Sequence, residues 1–252
     1  MPRILAGARK DRAEDTGGGN ARLAERQKVE ADAALETARG RLEVLQPLTM
    51  AIASTGLSAN RTVLMLDHVT VGYDPETPVI RDLSFSMTGP ERVAIAGPNG
   101  SGKTTLLALL TGRLQPWQGT VRVANEWALL DQQAALLDPA LSIRDNFVRI
   151  NPESNENACR AALARFAFRA DAALQTVATL SGGQMLRAGL ACVIGGAKPP
   201  PLLILDEPTN HLDIASIEAM EAGLRDYDGA LLVVSHDEAF LDAIGIDRRI
   251  EL

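Results

Sequence analysis

An α/β fold with an antiparallel β layer and a helical insert is predicted by three sets of segments in the 252-residue sequence. Arg92–Ala96, Leu202–Leu205 and Leu231–Val234 are short apolar runs, the pattern of strands covered on both faces, and each leads into polar residues. Val63–Leu66, Pro78–Met87 and Thr120–Leu130 read as strands of a separate antiparallel layer. Ala158–Thr179, rich in alanine and arginine, reads as the helical insert. Thr104–Leu110 and Met185–Ile194 read as further helices, the first of which Gly112 can cap.

Ahead of these lies a stretch of different composition. Residues 1–50 hold nine basic and eight acidic side chains, a net of +1, whereas the whole chain carries −7, so the remainder is −8. After the run Gly17-Gly18-Gly19, Asn20 is a candidate N-cap, and the segment to Leu45 is made of good helix formers. Ala24, Lys28, Ala31, Leu35, Ala38, Leu42 and Leu45 alternate four- and three-residue spacings, a short coiled-coil-like seam interrupted by one lysine. Gln46-Pro47 ends it. Both an ordinary packing helix and a projecting arm fit this pattern. The expected division is therefore residues 1–60 as a charged helical arm and 61–252 as the folded body.

Composition removes several classes of function. Hydrophobic residues at 46% and charged residues at 23% describe a globular chain rather than a disordered one. Aromatics at 4% argue against a base-stacking platform for single strands, and the acidic balance argues against bulk coating of nucleic acid. Cys159 and Cys192 have no metal-ligand spacing, and His68, His211 and His236 are scattered. No apolar run approaches the roughly 18 residues that span a bilayer, and the first ten residues lack a secretory apolar stretch. The expectation is a cytoplasmic chain with no membrane insertion of its own.

Chemistry concentrates at the ends of the apolar runs. Gly97-Pro98-Asn99-Gly100-Ser101-Gly102-Lys103-Thr104 fits the pattern GxxxxGK[ST] in full, between a strand and a helix, with Thr105 next in line. Glycines let backbone N–H groups turn toward phosphate oxygens, and a helix N-terminus adds partial positive charge. Lys103 then reaches the β- and γ-phosphates, and the Thr104 hydroxyl ligates Mg²⁺. Leu202–Leu205 ends in Asp206-Glu207. Beside a phosphate-binding loop, Asp206 reads as the holder of Mg²⁺ and Glu207 as the group that orients or deprotonates an attacking water.

With these motifs in place, Leu180-Ser181-Gly182-Gly183-Gln184 resembles the signature of the ATP-binding cassette ATPases, in the order that family requires. The resemblance implies a P-loop NTPase cassette with a RecA-like core, an antiparallel layer and a helical subdomain, preceded by a helical linker. It implies that Ser181, Gly182, Gly183 and Gln184 complete the nucleotide site of an opposing cassette. It also implies that Gln132 is the glutamine sensing Mg²⁺ and the γ-phosphate, with Gln133 leaving the register open by one. His236, in Val234-Ser235-His236-Asp237, looks like the switch histidine contacting the γ-phosphate. Tyr73 looks like the aromatic that stacks on adenine, against the alternative of a core tyrosine. Leu212-Asp213 corresponds to the loop that crosses between cassettes.

Asp206–Asp213 and Val234–Leu241 are similar to the soluble ABC-F proteins, whose chains carry two cassettes joined by a charged linker and whose characterised members act on ribosomes. One cassette is present here. The expected activity is Mg²⁺-dependent ATP hydrolysis in a site completed by a second cassette, either another copy or the other half of a longer protein, which a start within a linker favours. An arm contact with ribosome or tRNA through residues 1–46 rests on Arg9, Lys10, Arg12, Arg22, Arg26, Lys28, Arg39 and Arg41, whose bland reading is a solvated helix face. The alternatives are the nucleotide-binding subunit of a membrane transporter and a half that binds ATP without turnover.

Overall fold

The computed structural model describes residues 52–74, 76–210 and 212–252. The expectations for the arm, residues 1–46, and for His211 lie outside them.

Among the described residues, eight strands form two sheets. β1 (Thr62–Val71), β2 (Ile80–Thr88) and β4 (Gln118–Val123) make a three-stranded antiparallel layer in the order β2-β1-β4. β3 (Arg92–Ala96), β5 (Trp127–Leu130), β6 (Leu202–Asp206), β7 (Ala230–Val234) and β8 (Arg248–Glu251) make a five-stranded parallel sheet, β5-β6-β7-β3-β8. The three apolar runs occupy the centre of that sheet, and β7 is buried along its whole length. Helices α1 (Lys103–Leu110), α2 (Ile143–Ile150), α3 (Glu156–Arg165), α4 (Gly182–Ile194), α5 (Ile214–Arg225) and α6 (Glu238–Ala243) complete the described elements. Leu106, Leu107, Leu109 and Leu110 of α1 pack with β1, β3, β6 and β7 residues into one apolar cluster, while α2, α3 and α4 contribute to a second.

Two elements depart from the sequence expectation. Thr120–Leu130 is not one antiparallel strand. The ladder ends where the Ala124 N–H donates to the Val63 carbonyl, the chain bends at Asn125-Glu126, and Trp127–Leu130 pairs in parallel with Leu202–Leu205. Local alternation carries no record of which sheet a strand joins. Ala158–Thr179 is not one helix either: α3 stops at Arg165, and two short 3-10 turns, Ala170–Leu174 and Val177–Thr179, follow. Phe166 and Phe168 are both buried. A continuing helix would set them about 200° apart and expose one, so the chain breaks, with Ala167 and Ala170 in the left-handed region. As expected, Gly112 closes α1 with φ +72°.

The segment before β1 lies along this body. Ser54 Oγ and the Thr55 N–H both donate to the Asp228 carboxylate, at 2.6 and 2.8 Å, while Ile52 and Leu57 pack on the two apolar clusters. Among the described residues no helix is long and apolar enough to cross a membrane.

Candidate active site

The loop between β3 and α1 is shaped by glycine. Gly97 has φ +145°, and a Cβ there would stand 2.6 Å from Ser101 Oγ and 2.9 Å from the Leu252 carbonyl oxygen. Gly102, the N-cap of α1, has φ +107° and presses on Val79 and Ile80. The loop's backbone thus wraps into the mouth of a helix whose first turn lacks carboxylates, a setting that favours an anion. Lys103 Nζ donates to the carbonyls of Gly97 at 2.7 Å and Pro98 at 3.3 Å, and stands 3.0 Å from His236 Nε2. Ser101 Oγ is buried with no partner among the described residues.

The acidic strand end, on β6, approaches this loop across β7, which lies between β6 and β3. Asp206 pairs with Val234 in the β6–β7 ladder. Glu207, one residue on, has φ +47°, a conformation that costs a non-glycine residue about 1–2 kcal/mol. It is held there by its N–H, which donates to the Val234 carbonyl at 2.7 Å, and by its carbonyl, which accepts from Asn210. The twist keeps the Glu207 carboxylate 14% exposed and 3.5 Å from His236 Nε2. On the β7 side, Asp237 caps α6 through the Phe240 N–H, and Ser235 Oγ accepts from the Asp237 N–H, which fixes the turn carrying His236. Burial, then the charges of Glu207 and Asp131, push the Asp206 pKa up.

These groups line a cleft of about 690 Å³, a size suited to a small-molecule ligand. Asn99, Gly100, Gly102, Lys103, Thr104, Thr105, Gln132, Asp206 and Glu207 line it, and Gln133 lines it beside Gln132. Gly97, Pro98 and Ser101 shape the loop without lining the cleft, and His236 reaches it through Lys103 and Glu207. Thr104, Gln132 and Asp206 present a hydroxyl, an amide and a carboxylate to one space, oxygen donors that fit Mg²⁺ held jointly with phosphate. Val79, Asp131 and Asn210 line the cleft although no sequence motif flagged them as site residues. Asp131 directly precedes the predicted glutamine, and its carboxylate accepts from the Ala135 N–H. Tyr73 is 68% exposed, so it is not a core residue; it lies on the loop whose return, Val79, enters the cleft.

The Ser181–Gln184 segment does not line the cleft. It opens α4 with a capping box in which Ser181 Oγ accepts from the Gln184 N–H and Gln184 Oε1 accepts from the Ser181 N–H. Ser181 and Gly182 are exposed. A Cβ on Gly183 would stand 2.8 Å from Ser216 Oγ, so the helix start packs tightly on the start of α5. Asp213, the N-cap of α5, accepts from Ser216, which draws its pKa down.

A family model described as "ABC transporter" matches residues 80–210, from β2 through the acidic strand. The chain belongs to the ABC ATPase family. The cassette is 37% identical over 194 residues to the "ATP-binding protein Uup" of Haemophilus influenzae, covering 75% of this chain and 30% of that protein. It is 37% identical over 183 residues to the mouse "ATP-binding cassette sub-family F member 3", covering 71% of this chain and 25% of that one. The chain therefore spans a quarter to a third of the length of these relatives. In the fold it matches the "ATP binding subunit of ABC transporter" with a TM-score of 0.66 at 22% identity, over 76% of this chain and 86% of that one.

Proposed function

We propose that the chain binds and hydrolyses ATP as an ABC-F-type cassette, in a site that a second cassette completes. The observation that carries the reading is the meeting of Lys103 and Glu207 with His236 at one cleft that the signature segment does not line. A cassette built this way supplies the loop side of one site and the signature side of another. Gly97–Thr105 cradle the triphosphate, and Lys103 follows its β- and γ-oxygens. Mg²⁺, when bound, neutralises phosphate charge from the side of Thr104, Gln132 and Asp206. Glu207 accepts the proton of the attacking water, and His236 and Gln132 contact the γ-phosphate. Tyr73 stacks on the adenine. Ser181 to Gln184, at a helix start free of carboxylates, meet the triphosphate bound to the opposing cassette.

The division into an arm over residues 1–60 and a cassette over 61–252 belongs to this reading, as does a role on the ribosome, supported by the similarity to sub-family F. Co-sedimentation with ribosomes tests that role. ATP-dependent pelleting that is lost on deleting residues 1–46 is the expected result, and pelleting unaffected by the deletion removes the arm. Pelleting absent with and without ATP rejects the ribosome itself.

A further inference from the structure

We propose that Trp117 is a positioning residue for the base-binding loop, holding Tyr73 at the height over the cleft that adenine requires. The proposal rests on the reading of Tyr73 as the base platform. Trp117 precedes β4, and its N–H donates to the Thr70 carbonyl at 2.9 Å, which ties it to the end of β1. Its ring lies against Gly72. A Cβ on Gly72 would stand 2.9 Å from Trp117 Cη2, 3.0 Å from the Val79 nitrogen and 3.1 Å from Pro78 Cα. The backbone immediately before Tyr73 is therefore gripped between an indole and the returning strand, with no room for a methyl group.

The return is fixed as well. The Val79 N–H donates to the Val71 carbonyl at 3.0 Å, and Val79 lines the nucleotide cleft. Gly72, Trp117 and Pro78-Val79 form one packed stack, from which Tyr73 projects at 68% exposure. Tyr73 itself is mostly exposed, so its height is set chiefly by the backbone before it. Trp117 is 39% exposed, unusual for so large an apolar side chain. Half-exposed indole that grips one glycine fits a brace better than a core residue.

Truncating Trp117 removes no atom of the phosphate cradle, and Val79, on which Gly102 packs, stays tied to the Val71 carbonyl by its own N–H. The loss falls on the base. Stacking on one aromatic is worth roughly 5- to 150-fold in affinity, and a displaced platform forfeits part of it. The full 252-residue chain is therefore tested by equilibrium binding of Mg·ATP and of Mg·tripolyphosphate, which lacks the base. Trp117→Ala is expected to weaken ATP about five- to tenfold and tripolyphosphate less than twofold, with Trp117→Phe restoring ATP to within about twofold. A general loss of structure would weaken both ligands alike, and that result overturns the proposal. Tyr73→Ala is measured alongside. If it weakens ATP selectively and Trp117→Ala does not, the brace is wrong and the platform stands. If neither variant changes ATP binding, the platform reading fails and takes the brace with it. Should Trp117→Ala not fold, Gly72→Ala tests the same contact from the other side. It is expected to give the same selective loss of ATP, and unchanged ATP binding in that variant overturns the proposal.

Discussion

Glu207→Gln is expected to separate binding from chemistry. The carboxylate is mostly buried, 3.5 Å from His236 Nε2, and carried on a residue at φ +47°. Glutamine keeps its length and shape but cannot accept the proton of water. A positioned general base is worth about 10²–10⁴-fold in rate, or about 2.7–5.4 kcal/mol at ~1.36 kcal/mol per tenfold. ATP affinity should stay within about threefold, because the phosphate cradle is on the other strand. The same change has a signature without nucleotide. Asp206 has its pKa raised by burial and next by the Glu207 charge, so its folded pKa exceeds its unfolded one. Such a group favours the fold at low pH, and that contribution is lost as pH rises through the folded pKa. Removing the Glu207 charge lessens the rise. Glu207→Gln should therefore gain stability in urea melts at neutral pH, with the gain vanishing in acid. Single-turnover release of phosphate, measured beside ATP affinity, is the deciding assay. Unchanged release would refute Glu207 as the base, and an equal loss of ATP binding would refute the separation.

Three further changes bear on the loop, the β layer and the surface. Lys103→Ala removes charge-assisted bonds worth about 1.5–3 kcal/mol, so ATP should bind roughly 10- to 150-fold more weakly by equilibrium dialysis. Gly119→Ala should cost more than about 2 kcal/mol in urea unfolding, because a Cβ at φ +81° would stand 2.4 Å from the backbone oxygens of Asp67 and His68. Hydrogen bonds from Arg144 and then Arg160 hold the Glu156 pKa down to about 2 against an ordinary 4.5. A depressed carboxylate stabilises above its unfolded pKa and loses that contribution as pH falls toward the folded one. Glu156→Gln should consequently flatten the stability profile between pH 4.5 and 2, read from urea midpoints across that window.

Segments whose places are set by their immediate neighbours were readable in the sequence. Arg92–Ala96, Leu202–Leu205 and Leu231–Val234 lie in the central strands because unbroken apolar runs have no solvent face to satisfy. Lys103 and Asp206 come to line one cleft, as the positions of their motifs at the ends of buried strands predict. What escaped depends on distant parts of the chain. Trp127–Leu130 leaves the antiparallel layer because Leu202–Leu205 offers a parallel partner some 75 residues later. The helix expected through Thr179 breaks because two phenylalanines need the same core. Propensity disfavours Glu207 in the left-handed region, and the hydrogen bonds to Val234 and from Asn210 hold it there. Asp131 and Asn210 reach the cleft through the packing of their loops, which the motifs around them did not mark as lining.

The central claim, that this cleft turns over only when a second cassette closes it, is tested most directly by specific ATPase activity against protein concentration, with molar mass followed in parallel. Activity that rises steeply as dimers form, or that stays near zero until a second cassette is supplied, is the predicted result. Full turnover by a monomer, independent of concentration, would contradict it.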